Sequence, residues 1–195
     1  IVELPSEFSY DYNWPIRKVP IGETVKSVAF HEGSNTLIVS TLKEIPYNCI
    51  DEEGNPIVGI KPNKPSAISY KGLIKLISPV NWSVIDNIEL ADNEVGLHVK
   101  SMPLDVGSET KRFKSKKEFV LVGTGKYRLE DLACNGSDKL VEGIDIIPEP
   151  GKPETNHKFK EFTQEDTRGA VTSICEVSGR FLVAQGQKII VRDIK

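Results

Sequence analysis

The feature that most constrains this chain is an order of short apolar runs that recurs three times. In the first unit, "TVKSVAF" (residues 24–30) alternates, with Val25, Val28 and Phe30 as its apolar members. A "HEGSN" turn follows, then the β-branched run "TLIVST" (36–41), then "GLIKLISP" (72–79) and "WSVIDNIEL" (82–90) with "PVN" between them. The second unit repeats this order as "VGLHVKSMPL" (95–104), "EFVLVGTG" (118–125), "KLVEGIDII" (139–147) and "HKFKEF" (157–162). The third reads "GAVTSICEV" (169–177), "FLVAQG" (181–186) and "QKIIVRDIK", and lacks a fourth member. Period-two alternation argues for strands, and short apolar runs bounded by turn residues argue for strands buried on both faces. Four-strand units repeated in tandem are the mark of a β-propeller.

The expected fold is therefore all-β: consecutive propeller blades, each a four-stranded antiparallel sheet, present about two and three-quarter times over residues 23–195. Residues 1–22, with Tyr10, Tyr12, Trp14, Pro15 and Pro20, read as an extended lead-in. Polar insertions at 43–71 and 105–117 read as loops between strands. "PEPGKPETN" (148–156) reads as a connector held extended by proline, which has no amide donor and fixes φ. No segment carries a helical period. Both ends read as cut from something longer, and a few blades cannot close a ring, so their outer faces should expose apolar surface.

Composition narrows the classes. The chain is 38% hydrophobic and 27% charged, and no apolar run approaches the ~20 residues of a membrane helix. A net charge of -3 gives no basic signature for nucleic acid. Cys49, Cys134 and Cys175 are odd in number and far apart, as expected of unpaired, partly buried thiols in a reducing compartment.

Taken together, "LISPVNWSVID", "IIPEPGKPETN", "CEVSGRFLVAQGQKIIVRDI" and "GNPIVGIKPNKP" (54–65) resemble the family of the largest subunits of the yeast-type cleavage and polyadenylation factor. The resemblance covers the chain from about Glu23 onward. It implies a large nuclear scaffold of three propellers without the tryptophan–aspartate signature, followed by a helical domain. This stretch would belong to the third propeller. The architecture is shared with the large subunit of damaged-DNA-binding protein and a splicing factor 3b subunit, so a ubiquitin-ligase adaptor is the reading from another pathway. The resemblance further implies that propeller and zinc-finger subunits are partners, and that pre-mRNA contact is mostly indirect. Cleavage and poly(A) addition would lie with other chains, and no cofactor, small-molecule substrate or membrane would be involved. One departure stands out: "GSDKLVEGIDII" puts Asp138 and Gly143 where apolar side chains are expected, which predicts a weakened or bulged strand there.

The candidate contact site is the run "KRFKSKK": Lys111, Arg112, Lys114, Lys116 and Lys117 around Phe113. Lysines and arginine could neutralise RNA phosphates while Phe113 stacks on a base, or they could meet an acidic protein surface; a solvated loop is the plainer reading. His31 (expected in a turn), His98 and His157 are scattered and show no metal-ligand spacing. No nucleophile elbow, phosphate loop or HExxH is present, and "GTGKYRLEDLACNG" has the wrong spacing for a phosphate loop, so no enzyme is expected. Trp82 is expected to open a strand and pack between blades.

Overall fold

The computed structural model describes residues 16–46, 68–106, 115–127, 134–148, 150–151 and 156–194. Within them the chain forms three antiparallel sheets in sequence order. The first is β1 (Thr24–His31), β2 (Thr36–Pro46), β3 (Ile68–Ile77) and β4 (Val84–Asp92). The second is β5 (Glu94–Val106), β6 (Ser115–Lys126), β7 (Gly136–Asp145) and β8 (His157–Thr167). The third has three strands: β9 (Val171–Val177), β10 (Arg180–Gln185) and β11 (Lys188–Arg192). The blades expected from the repeat are thus present, and the third has three strands. Several strands run further into the insertions than alternation indicated, for example β2 to Pro46 and β5 to Val106. The remainder of those insertions, with Cys49 and "GNPIVGIKPNKP", lies outside the described residues.

Turn chemistry sets the hairpins. Ser178 and Gly179 take φ of 53° and 76° between β9 and β10, as a two-residue turn with both central residues left-handed requires. Trp82 does not open a strand. It sits in the β3–β4 turn with φ of 64°, its amide bonded to the Ser78 carbonyl at 2.9 Å and its ring facing the Arg17 guanidinium at 5.4 Å.

The core lies between the sheets. Val120, Val122 and Val141 join Ile38, Ile74, Leu76, Leu90, Val99 and Phe159 in one apolar cluster between the first and second sheets. Their alternate neighbours Phe119, Leu121 and Leu140 join Met102, Leu104, Val171, Ile174, Phe181 and Val183 between the second and third. The middle sheet is buried on both faces. This is the physical reason that "EFVLV" is a continuous apolar run, since each such side chain taken from water contributes about 1.5–3 kcal/mol.

The repeat holds to single residues. The first strand of each sheet is bulged against the second at one position: between Val25 and Ser27, between Gly96 and His98, and between Val171 and Ser173. That register makes Val25, Gly96 and Val171 equivalent, and likewise their neighbours across the ladder Thr41, Thr124 and Gln185. A glycine on the third strand marks each joint. A Cβ on Gly72 would lie 2.5 Å from the carbonyl oxygen of Glu94, and one on Gly136 would lie 2.9 Å from that of Gly169. Glu94 and Gly169 are themselves equivalent, each two residues ahead of the bulged pair. The backbone opening one blade thus passes directly over the blade before it.

The strand around Gly143 is weakened on one side only. β7 pairs with β8 from Gly136 to Asp145, with Gly143 opposite Phe159 and a register shift between Leu140 and Val141, whereas its ladder with β6 runs only from Asp138 to Val141. Both non-apolar residues serve joints between blades. A Cβ on Gly143 would stand 3.3 Å from the His31 ring of the first blade, and the buried Asp138 pairs with Arg192 of the third at 3.3 Å.

Candidate interaction site

The basic run is only partly described. Lys111, Arg112, Phe113 and Lys114 lie outside the described residues. Lys116 and Lys117 open β6 as exposed residues. Lys117 is committed to its own blade: its ammonium pairs with Glu142 of β7 and lies 5.8 Å from the Phe119 ring centre. The structure therefore brings together Lys117, Glu142 and Phe119.

Some of the charged side chains that meet do so across the joints. Glu118, the residue after Lys117, holds the first blade to the second. Its carboxylate accepts the amides of Glu32 and Gly33 at 3.1 and 2.8 Å and the Ser101 hydroxyl at 2.6 Å. Burial would raise the Glu118 carboxyl, but these bonds and the neighbouring His31 hold it below the usual range. His31, expected in the turn, is instead the buried last residue of β1, its Nε2 3.5 Å from Glu118. Its imidazole pKa is lowered, chiefly by burial, with Glu118 opposing and His157 adding to the shift. His157 pairs with Asp145 at 2.8 Å. Among the described residues no three His, Cys, Asp or Glu side chains are grouped to hold a metal ion. Cys134 is half-buried and Cys175 exposed rather than partly buried.

Two buried polar clusters occupy matching places in consecutive blades. Glu94 accepts the hydroxyls of Thr124 and Ser137, each at 2.7 Å, and the Ala91 amide at 3.0 Å, with the Lys139 ammonium 3.5 Å away. Glu23 accepts the Thr41 hydroxyl at 2.6 Å and pairs with Lys75 at 2.8 Å. In both carboxyls burial acts to raise the pKa. The hydroxyl bonds and the lysine together outweigh it and leave the pKa lowered. Sequence reading missed these residues. The signal was there: "TLIVST" and "FVLVGT" both end in the threonine concerned, and Glu23 and Glu94 stand two residues ahead of the bulged pair. At the second joint Arg192 lies between Asp138 and Glu165. Burial raises the Asp138 carboxyl despite Arg192.

The open ends of the first joint form a cavity of about 360 Å³. Its walls are the β1–β2 turn, the β3–β4 turn and the last residues before β8. The arrangement fits non-covalent recognition: rigid sheets, charges paired within and between blades, and turns left to face outward.

The comparisons agree with this architecture. A family described as the CPSF A subunit region matches residues 71–195. Protein CFT1 of Debaryomyces hansenii is 69% identical over the whole chain, which spans 14% of that relative's length. Protein CFT1 of Candida albicans is 60% identical over the whole chain and 15% of the relative. Protein CFT1 of Saccharomyces cerevisiae is 36% identical over 95% of the chain and 14% of the relative. The chain thus spans about one-seventh of these relatives, and from the matched region and the identity across its whole length it belongs to the CPSF A subunit family.

Proposed function

We propose that this chain is a run of blades in the third propeller of a nuclear scaffold subunit, acting in pre-mRNA cleavage and polyadenylation by holding partner subunits. Family membership supports the pathway. One observation carries the scaffold reading: the two end faces of the described blades are built as blade-packing faces. By the bulge register Val28 of the first blade is equivalent to Val99 of the second. Val99 is 3% exposed against the first blade, whereas Val28 is 60% exposed. At the other end Val177 and Val191 are equivalent to the buried Met102 and Leu140, and they are 48% and 55% exposed. Apolar rows repeated at blade-packing positions are made to receive further blades.

In this reading the chain supplies a rigid wedge of a ring, and its partners are the propeller and zinc-finger subunits of the same assembly. The test is to purify the tagged full-length protein from nuclear extract and identify its companions by mass spectrometry. Co-recovery of a poly(A) polymerase, a nuclease and a zinc-finger protein is expected. Recovery of a cullin or of splicing subunits instead would contradict the pathway. Salt-sensitive RNA binding by the purified protein, lost when Lys116 and Lys117 become glutamate, would move the contact to RNA.

A further inference from the structure

We infer that Asp138, Glu165 and Arg192 form a charged key that fixes which blade the third blade stands against. The key follows from the ladder registers and does not depend on what the parent protein binds.

The repeat supplies the comparison. Thr41, Thr124 and Gln185 are equivalent, so places counted from them along each ladder are equivalent too. Ile74 lies opposite Ser40 and Asp138 opposite Gly123, one place before the threonine in each case. Ile88 lies opposite Ile74, and Glu165 opposite Asp138. Val141 lies opposite Val120 and Arg192 opposite Phe181, four places before Thr124 and Gln185. The first joint therefore holds Ile74, Ile88 and Val141 where the second holds Asp138, Glu165 and Arg192. At the first joint the three belong to one apolar cluster. At the second, the Arg192 guanidinium lies 3.3 Å from Asp138 and pairs with Glu165 as well.

Two observations make this a choice of neighbour. First, Asp138 is 6% exposed and its Oδ1 makes no hydrogen bond, so the facing guanidinium is what compensates that oxygen. Set against isoleucines instead, Arg192 would lose water and gain no carboxylate. Second, the ionic set occurs once among the described blades. Toward the blade that follows, the three sheets present Ile74, Asp138 and Ile189 at this place. Toward the blade that precedes, they present Ile77, Val141 and Arg192 at theirs. The acidic face meets the basic one, and Ile74 meets Val141. On either apolar face Arg192 would meet isoleucine, so blades of like shape are told apart by charge.

The wrong neighbour can be made in place. Asp138→Ile/Glu165→Ile gives the second blade the first blade's face, and Arg192→Val gives the third blade the second's. Four forms of the full-length protein are compared: the parent, each of these two variants, and the variant carrying all three substitutions. Hydrogen exchange is read by mass spectrometry over peptides of β9, β10 and β11. The expected result is exchange about ten-fold or more faster in both mismatched variants. The triple variant should return to within about three-fold of the parent, because a whole buried ion set is exchanged for apolar side chains at little cost, whereas half of one is not. Since the triple variant carries every substitution present in the other two, its recovery separates lost matching from a failure to fold. Equal exchange in all four forms, or a triple variant as fast as the mismatched ones, would overturn the key.

Discussion

Glu94 is the residue on which the second blade is centred. Replacing it with alanine leaves Lys139 buried without its carboxylate and should cost about 3–5 kcal/mol, whereas Glu94→Gln keeps a hydrogen-bond acceptor and should cost less. Urea unfolding of the full-length protein followed at this region checks the order. The titrating groups give signs as well. Glu23, Glu94 and Glu118 all have folded pKa values below the ordinary glutamate value of 4.5, so the stability they contribute is present above that pH and is lost as pH falls through the folded values. His31 acts in a higher window. Its folded pKa is lowered from 6.5, so the unfolded chain takes up protons first and stability falls as pH drops below about 6.5. A variant His31→Gln should lose less stability between pH 7.5 and pH 5.5 than the parent, measured as the shift in the urea midpoint. None of these residues was legible as a partner in sequence. Glu23 and Lys75 are far apart along the chain, and what joins them is a ladder register that only pairing reveals.

At the scale of elements, the strands themselves were largely legible, because alternation and β-branched runs follow directly from one-faced and two-faced burial. "TLIVST" and "EFVLVGTG" announce second strands packed on both sides. Asp138 and Gly143 stand at apolar places for a definite reason: their neighbours belong to other sheets. A pattern read along one strand carries no information about Arg192 or His31 across a joint. The joints also carry a size complement that no single strand displays. At the first, Ser40 faces Gly96, its hydroxyl bonded to the Gly96 carbonyl at 2.8 Å. At the second, the equivalent places hold Gly123 and Val171. The small residue has changed sides. A Cβ on Gly96 would lie 2.4 Å from the Ser40 hydroxyl, and one on Gly123 would lie 2.4 Å from a Val171 methyl. Gly96→Val should therefore destabilise by about 1–3 kcal/mol or more, and adding Ser40→Gly, which recreates the second joint at the first, should return part of the loss. A double-mutant cycle in thermal unfolding reads the coupling. Strict additivity would mean that the two joints do not choose their neighbours in this way.

At the scale of the whole molecule, three blades stand side by side with apolar end faces exposed, which supports the proposal that further blades pack on both sides. The repeat was legible from order alone, and with it the expectation of uncovered end faces. Which residues form those faces was not, because Val28 and Val99 look alike in sequence and differ only in whether a blade stands against them. The most direct test is thiol labelling in the full-length protein, with cysteine placed singly at Val28 and Val191 and a reference at Tyr127, which is 61% exposed in the β6–β7 connection. Labelling is followed site by site by mass spectrometry, so that Cys175 is scored separately. The account predicts that cysteines at positions 28 and 191 react far more slowly than that at 127, because neighbouring blades cover both end faces. Reaction of all three at similar rates would contradict it, leaving the blades standing without a ring around them.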